Sequence, residues 1–246
     1  NGSRVYFKLD EGTSSVDAMT LNELKNLLSE FGKNVSFEHD LKKKNWFNIG
    51  GKTKVFFKAD NLKDLSNFLK KLNNKEKIFI LGAGSNTLIS DDLFDGVVIK
   101  LGKNFNNLSL LNEDIIIAGS SVLDKTLSNF ALNNSLSGFE FLSCIPGSVG
   151  GGVRMNAGCF GKEFKDILIS IQAIDTFGNV VTIPVKKVKF DYRKNNLSHD
   201  LIFLSASFKG VKNDAVKISK EMNKLKTEKE KNQPTKIKTS GSTFKN

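Results

Sequence analysis

The chain has 246 residues, of which 39% are hydrophobic and 26% charged, a composition typical of a globular protein with a sizeable core. It contains no apolar run of about 18 residues, so no transmembrane helix is predicted. Two cysteines, Cys144 and Cys159, are too few for a disulfide framework and fit a reducing cytoplasm. Two distant histidines, His39 and His199, predict no metal site.

The charge is strongly positive, with 37 Lys+Arg against 26 Asp+Glu and a formal net charge of +11. Such an excess indicates nucleic-acid binding, a site for an anionic small molecule such as a nucleotide, or a lysine-rich surface that serves solubility alone. The lysines are scattered and are not interleaved with aromatic residues, and no zinc-finger spacing is present. The charge alone therefore leaves all three interpretations open.

The first half of the chain predicts a β-α-β-β unit of about 80 residues. Residues 1–18 show no helical period and are interpreted as an added leader, with a native disordered N-terminus as the alternative. An amphipathic helix opens at Met19, with apolar residues at helical spacing as far as Phe31. A second helix covers 62–72, with Asn61 or Asp60 as its N-cap. Buried strands are predicted at 55–59, 78–81 and 97–101.

The second half predicts more strands, near 115–118, 168–175, 179–184 and 201–208, with a helix near 122–133. Phe177-Gly178-Asn179 marks a hairpin turn. The Lys/Glu-rich stretch 213–231 predicts a helix with a thin apolar stripe of Val216, Met222 and Leu225, ended by Pro234.

Two glycine-containing segments in the first half are candidates for phosphate binding. Gly50-Gly51-Lys52-Thr53 matches the end of a Walker A loop, but Trp46 stands where that motif begins with glycine, so a P-loop is rejected. Gly82-Ala83-Gly84-Ser85-Asn86-Thr87 lacks the third glycine, long helix and acidic partner of a Rossmann dinucleotide site. Its successive N–H groups still suit a pyrophosphate, and a plain strand-end turn is the alternative.

A third glycine-rich segment, Ile145-Pro146-Gly147-Ser148-Val149-Gly150-Gly151-Gly152, predicts a loop, because four glycines in six positions are unfavourable inside a helix or strand. Pro146 stiffens its entrance. The segment continues through Asn156-Ala157-Gly158 and is too apolar for a flexible linker, which indicates backbone lying against a flat ligand.

The ordered set of motifs resembles the UDP-N-acetylenolpyruvoylglucosamine reductase family. Asn45-Trp46-Phe47-Asn48-Ile49-Gly50-Gly51 is similar to its N-T-x-x-I-G-G opening, with Trp46 in place of threonine, and Leu81–Asp91 to its flavin phosphate loop. Its second flavin loop, its Tyr-Arg pair and its terminal segment are matched by Gly138–Gly158, by Phe190-Asp191-Tyr192-Arg193, and by Gln233-Pro234 with Gly241-Ser242-Thr243-Phe244-Lys245-Asn246. The short interval from Arg193 to Ser242 resembles the family's second type.

The resemblance implies an α+β fold of the vanillyl-alcohol-oxidase type, with FAD held non-covalently between two subdomains. It implies a leader at 1–18, FAD-binding subdomains at 19–101 and 102–209, and the incomplete beginning of a substrate-binding domain at 210–246. The implied reaction is reduction of UDP-N-acetylglucosamine enolpyruvate by NADPH to UDP-N-acetylmuramate, for peptidoglycan. A cytoplasmic monomer that binds neither nucleic acid nor membrane is expected.

The resemblance also assigns site residues. Hydride would pass from FAD N5 to the β-carbon, with Arg193 stabilising the developing charge and Ser242 giving a proton to the α-carbon. Tyr192, Lys245 and Asn246 would bind substrate. Cofactor-binding positions are Gly82, Ala83, Gly84, Ser85, Asn86, Thr87, Ile145, Pro146, Gly147, Ser148, Gly150, Gly151, Asn156 and Gly158, whereas Cys144 and Cys159 are interpreted as small packed residues.

Two further expectations concern the end of the chain. The family continues beyond the position of Asn246 and supplies a catalytic glutamate there, so a chain ending here is expected to bind FAD but turn over poorly. Residues 209–246 hold 11 Lys and 4 Asp+Glu, a net +7, which favours an anionic UDP-sugar over nucleic acid as partner, with a solvated lysine-rich helix as the alternative explanation of much of this charge. The alternatives are another flavoprotein of the same superfamily, acting as an oxidase, and a non-enzymatic nucleic-acid-binding protein.

Overall fold

The computed structural model describes residues 18–233, which divide into two units. Unit 1 comprises the described residues up to Gly102 together with Thr176–Gly178, and unit 2 comprises Lys103–Asp175 and the described residues from Asn179 onward. Within 18–233 no helix is long and apolar enough to cross a membrane.

Unit 1 is built on a four-stranded sheet in the order β1-β2-β4-β3. Its strands are β1 Val35–Asp40, β2 Lys52–Ala59, β3 Ile78–Ile80 and β4 Phe94–Leu101. β1 runs antiparallel to β2, whereas β2, β4 and β3 are parallel to one another. The sequence prediction found the three parallel strands and missed β1, whose polar residues do not give a buried-strand pattern.

Two helices, α1 Leu21–Leu27 and α2 Leu62–Leu72, belong to unit 1. Asn61 is the N-cap of α2, since its side chain accepts a 2.8 Å hydrogen bond from the Asp64 N–H. The helical pattern predicted as far as Phe31 was too long, because α1 ends at Leu27 and a 3₁₀ turn follows over Ser29–Asn34. Phe31 packs edge-on against Phe57 and Phe68, with ring centroids 5.3 Å apart in both pairs.

Unit 2 contains a five-stranded antiparallel sheet in the order β11-β10-β14-β6-β5. The strands are β5 Leu108–Leu111, β6 Ile115–Gly119, β10 Leu168–Ile174, β11 Val180–Pro184 and β14 Ile202–Lys209. Three short ladders join β15 Val211–Lys212 to β7 Leu136–Ser137, β8 Gly158–Cys159 to β9 Lys162–Glu163, and β12 Phe190–Asp191 to β13 Lys194–Asn195. The predicted hairpin turn is confirmed by the Asp175 N–H, which donates to the Asn179 carbonyl at 2.9 Å.

Three helices, α3 Asp124–Asn133, α4 Val149–Arg154 and α5 Ala215–Asn232, pack in unit 2. The core includes Phe139, Phe164 and Phe208, all fully buried. The apolar stripe of α5 consists of Ile218, Met222 and Leu225, and the prediction of Val216 as a member was wrong because its residue is 62% exposed. Pro234, predicted to end this helix, lies outside the described residues.

Candidate functional site

The first candidate loop, Gly82–Thr87, leaves the end of β3 in unit 1. Gly82, Ala83 and Asn86 are exposed, so the loop presents backbone and a polar side chain to solvent. Gly84 is buried at φ +71°, and an added Cβ would lie 2.7 Å from the Lys44 carbonyl oxygen. This position therefore requires glycine for its backbone conformation and for lack of space.

The motif Asn45–Gly51 is hydrogen-bonded to this loop and to the residues that follow it. The Trp46 N–H donates to the Gly84 carbonyl at 2.9 Å, and the Gly51 N–H donates to the Ser90 carbonyl at 2.7 Å. The buried Asn45 side chain closes its own turn by donating to the Ile49 carbonyl at 2.6 Å. The motif was identified only by its resemblance to the family's opening segment, and the structure gives it a physical role, since its backbone hydrogen-bonds to the candidate phosphate loop and to the residues after it.

A lysine that the sequence prediction missed lies against the same loop. Lys100 in β4 donates from Nζ to the Gly82 carbonyl at 2.8 Å. Burial, and then the charges of Lys44 and Lys58, lower the pKa of Lys100. A cluster of cations that destabilise one another beside exposed backbone would be relieved by an anion, which is the electrostatic environment that suits a phosphate. The signal available in the sequence was the single charged residue in the apolar run from Val97 to Leu101.

The second candidate segment differs from its prediction. The expected loop over 147–152 is wrong in part, because α4 begins at Val149 and holds three glycines in six residues. Close packing explains them: an added Cβ on Gly152 would lie 2.3 Å from the Phe164 ring, and one on Gly150 would lie 2.9 Å from Ser120 Cβ. Packing thus outweighs the low helix propensity of glycine here.

The backbone around the N-terminus of α4 is hydrogen-bonded to the backbone around the N-terminus of α3. The Gly147 carbonyl accepts from the Asp124 N–H at 2.9 Å, and the Gly150 N–H donates to the Ser120 carbonyl at 2.9 Å. Ser120 Oγ and both Asp124 carboxyl oxygens are buried, and no hydrogen-bond partner is found for them among the described residues. Burial raises the pKa of Asp124 well above its usual range. Buried polar atoms without a hydrogen-bond partner are rare in folded proteins, and a bound polar ligand nearby would explain them.

Asn156, predicted to bind cofactor, has a different environment. Its side chain is fully buried, donates to Glu163 Oε2 at 3.1 Å and accepts from the Lys165 N–H at 3.1 Å. A side chain with these partners fixes the end of α4 to the β8–β9 region. Any contact of Asn156 with a cofactor is thus left to its main chain.

The Tyr192-Arg193 pair forms the two-residue tip of the β12–β13 hairpin. Arg193 has φ +57°, an uncommon conformation for a residue other than glycine. Its Nη2 donates to the Gly158 carbonyl at 3.1 Å, and its guanidinium carbon lies 5.3 Å from the Tyr192 ring centroid. The hairpin therefore presents a cation in a fixed orientation.

Asn195 and Arg154 fasten this hairpin to α4, and sequence reasoning assigned neither. Asn195 Nδ2 donates to the carbonyls of Val153 and Arg154 at 3.1 Å each. The Arg154 guanidinium donates to the Leu201 carbonyl at 2.6 Å and stacks over Phe203 at 4.0 Å. α4, the hairpin and the following segment thus form one connected support for Arg193.

The remaining predicted site residues, Ser242, Lys245 and Asn246, lie outside the described residues. Within 18–233 no cluster of metal-ligating side chains occurs. The His39 ring stacks on the Phe56 ring with centroids 4.3 Å apart, and its Nδ1 lies 2.7 Å from Ser36 Oγ. These contacts give His39 a structural role in the unit 1 sheet.

Taken separately, both candidate segments fit parts of FAD. The unit 1 loop offers exposed backbone, Ser85, Asn86 and the Lys100 cation, which suit a pyrophosphate. The unit 2 segment offers close-packed glycines beside unpaired buried polar atoms. The backbone N–H groups, hydroxyl and amide side chains and lysine of the unit 1 loop agree with the FAD that the family resemblance implies.

Comparison with known proteins gives the family. Residues 53–184 match the model of the FAD binding domain family. The chain is 65% identical over 228 residues to UDP-N-acetylenolpyruvoylglucosamine reductase from Pelagibacter ubique, covering 93% of this chain and 76% of that protein. The reductase of the same name from Rickettsia typhi is 48% identical over 85% of this chain and 70% of its own length.

Solved structures agree with these sequence relatives. The crystal structure of UDP-N-acetylenolpyruvylglucosamine reductase from Thermus caldophilus aligns with a TM-score of 0.74 at 27% identity, covering 85% of this chain and 73% of that chain. p-Cresol methylhydroxylase aligns with a TM-score of 0.51 at 16% identity, covering 78% and 43%, and shows the fold alone. The predicted vanillyl-alcohol-oxidase-type fold is confirmed. The chain belongs to the UDP-N-acetylenolpyruvoylglucosamine reductase family and is an FAD-dependent oxidoreductase.

Proposed function

We propose that the protein reduces UDP-N-acetylglucosamine enolpyruvate to UDP-N-acetylmuramate with NADPH as hydride donor. The observation that carries the proposal is the geometry of Arg193, a cation fixed at a hairpin tip by the Gly158 carbonyl and the Tyr192 ring. The names of the relatives support the substrate class, because they are enolpyruvoylglucosamine reductases. The net positive charge is compatible with an anionic nucleotide sugar.

We assign FAD-binding subdomains to 19–101 and 102–209, and a substrate-binding region to the residues from 210. Within the first, Ser85, Asn86 and Lys100 would bind phosphates of FAD. Within the second, the backbone around Gly147 and Gly150 would lie against a flat part of the cofactor. When bound, FAD supplies the hydride that the reaction needs. The protein's contribution is to orient the substrate and to stabilise charge.

Arg193 would bind the substrate carboxylate. As the enol ether is reduced at its β-carbon, negative charge develops at the α-carbon and spreads into that carboxylate. A guanidinium matches a carboxylate with two parallel N–H donors and stays charged at all working pH values. Because Gly158 already fixes the guanidinium, little reorganisation is required when the charge appears.

The α-carbon must then receive a proton, and the family resemblance assigns that step to Ser242. A serine hydroxyl is a weak acid and needs a neighbouring cation or an ordered water to lose its proton readily. Tyr192, Lys245 and Asn246 would position the nucleotide sugar. These roles rest on the resemblance, since three of the four residues lie outside 18–233.

Substrate-dependent oxidation of NADPH by the FAD-loaded protein tests the proposal. In keeping with the poor turnover expected from the sequence, we expect slow consumption of NADPH with the enolpyruvyl ether and none with UDP-N-acetylglucosamine, which lacks the double bond. Arg193→Met should lower kcat/KM by at least about a hundredfold, the scale of losing a preorganised charge stabiliser. Lys194→Met removes a neighbouring exposed cation and should change kcat/KM less than about threefold. Equal losses in both variants, or equal rates with both nucleotide sugars, would contradict the proposal.

A further inference from the structure

The carboxyl ends of the parallel strands in unit 1 carry basic side chains. Lys58 in β2 and Lys100 in β4 are register partners in adjacent parallel strands, so their side chains leave the same face of the sheet side by side. β3, the third parallel strand, ends at Ile80, just before the Gly82–Thr87 loop. Ligands of open parallel sheets bind outside the carboxyl ends of the strands. Two lysines and the candidate phosphate loop thus lie where a ligand is expected.

The face that carries both lysines is also the face on which the loop is anchored. Side chains alternate along a strand, so Lys58 shares its face with Phe56. Phe56 belongs to a buried apolar cluster that includes Leu81 before the loop and Ile89 after it. The loop and the lysines therefore belong to one side of the sheet.

A third lysine, Lys44, reaches this face from the segment before β2. Its Nζ lies 5.3 Å from the centroid of the Phe56 ring, a cation–π contact. Its carbonyl oxygen would lie 2.7 Å from a Cβ on Gly84, so its backbone is packed against the loop. Lys44, Lys58 and Lys100 form a tribasic cluster beside the candidate phosphate loop.

The tribasic cluster lacks the carboxylates that balance another lysine of the same sheet. Lys54, near the beginning of β2, contacts Glu76 Oε2 and Asp95 Oδ1 at 3.2 Å each. No carboxylate of residues 18–233 forms an ion pair with a lysine of the tribasic cluster. Burial, and then the charges of the other two lysines, lower the pKa of Lys100. One end of β2 is therefore balanced in charge, whereas the other carries positive charge that a bound anion would neutralise.

We propose that the tribasic cluster is a diphosphate site, which binds the diphosphate group of FAD and also free inorganic pyrophosphate in competition with FAD. A lysine ammonium is a compact cation with three donors and suits phosphate oxygens. Two linked phosphates match three cations and the successive N–H groups of the loop better than one phosphate does. The inference adds Lys44 and Lys58 to the residues that hold FAD. It rests on the role of Lys100 in the proposed function but not on the reduction step.

Competition between inorganic pyrophosphate and FAD for the apoprotein tests the diphosphate site. At constant ionic strength, we expect the apparent Kd of FAD to rise linearly with pyrophosphate concentration. Inorganic phosphate should compete at least about tenfold less well, because it offers fewer charges and acceptor oxygens to the three cations. An FAD titration that pyrophosphate leaves unchanged, or equal competition by phosphate and pyrophosphate, would overturn the inference.

Single substitutions test the individual lysines. Lys44→Met and Lys58→Met should each weaken FAD and pyrophosphate binding at least about fivefold, because each removes a charge-assisted contact. Lys58→Arg keeps the charge, and both affinities should stay within about threefold of the parent. Lys63→Met is the matched control and should change both affinities less than about twofold. It removes an exposed lysine from α2, which packs on the opposite face of the sheet, where the Phe57 and Phe68 rings stack 3.9 Å apart.

The outcomes separate the diphosphate site from the proposed function. Equal losses of affinity in Lys58→Met and Lys63→Met, or no loss in Lys44→Met and Lys58→Met, would contradict the tribasic cluster as a binding site. The competition measurement uses the parent chain, so it decides even where a variant does not fold. Turnover of the enolpyruvyl ether is measured separately on the FAD-loaded parent. Absent turnover with intact competition counts against the proposed function alone, whereas turnover without competition counts against the diphosphate site alone.

Discussion

Replacing Gly84 with alanine tests whether the geometry of the candidate phosphate loop governs FAD binding. Gly84 has φ +71°, where an L-residue costs about 1–2 kcal/mol. The new Cβ would also lie 2.7 Å from the Lys44 carbonyl oxygen and 2.8 Å from Asn45 Cα, contacts with backbone that cannot rotate away. Overpacking of this kind adds about 1–3 kcal/mol.

These two costs add to about 2–5 kcal/mol. The variant would therefore be less stable than the parent by up to this amount, or its loop would shift to relieve the strain. A shifted loop no longer holds its N–H groups in place, so we expect FAD affinity to fall at least about tenfold, the equivalent of 1.4 kcal/mol. The assay is fluorescence titration of FAD into the apoprotein, with thermal unfolding measured in parallel.

Gly32→Ala is the matched control within unit 1. Gly32 has φ +53°, and no atom lies within 4 Å of its added Cβ, so this variant carries backbone strain without the clash and outside the loop. It should lower the unfolding temperature while leaving FAD affinity within about threefold, a difference of less than 1 kcal/mol. The reasoning is refuted if Gly84→Ala binds FAD as tightly as the parent, or if Gly32→Ala weakens FAD binding equally.

Three further predictions concern other described residues. Gly152→Ala should lower the free energy of unfolding by about 1–3 kcal/mol, because its Cβ would lie 2.3 Å from the buried Phe164 ring. Gly151→Ala is the control and should be neutral or stabilising, because the nearest atom to its Cβ is 3.7 Å away. Equal unfolding temperatures of the two variants would contradict the packing account of α4. Burial raises the pKa of Asp124, so its carboxyl binds a proton more tightly in the folded apoprotein than in the unfolded chain. The free energy of unfolding of the apoprotein should therefore fall as pH rises above the usual pKa of aspartate, and Asp124→Asn should reduce this pH dependence. The same pH dependence of stability in parent and variant would contradict the prediction. Lys100→Met should weaken FAD binding and reduce the salt dependence of the FAD affinity. In the parent, FAD affinity should fall as rising pH deprotonates Lys100, whose pKa is lower than that of an ordinary lysine. An unchanged salt dependence in FAD titrations of the variant would contradict the role of this cation.

Much of the fold could be predicted from sequence where a local signal was strong. The helix capped by Asn61, the hairpin turn at Gly178 and the parallel strands of unit 1 each carried a period, a cap or a turn residue. Strand β1 was missed because Glu38 and His39 interrupt its apolar pattern, and one of them, Glu38, lies at positive φ.

The glycines of α4 show why the rest could not be predicted locally. Gly150 and Gly152 argue for a loop by propensity, yet neighbours distant in sequence, Ser120 and Phe164, require glycine inside a helix. Likewise, motif order identified Arg193, but its hydrogen bond to the Gly158 carbonyl depends on tertiary placement. The same holds for Lys100, which looks like a surface charge until the Gly82 carbonyl is located.

The central claim is that this chain uses FAD to reduce an enolpyruvyl ether on a nucleotide sugar. The most direct measurement is the mass of the nucleotide sugar after anaerobic incubation of the FAD-loaded protein with NADPH and UDP-N-acetylglucosamine enolpyruvate. The account predicts a product heavier by two hydrogen atoms, formed slowly and in an amount equal to the NADPH consumed. Replacing Arg193 with methionine should lower kcat/KM for its formation by at least about a hundredfold. Recovery of the substrate at its original mass, with FAD bound and NADPH consumed, would contradict it.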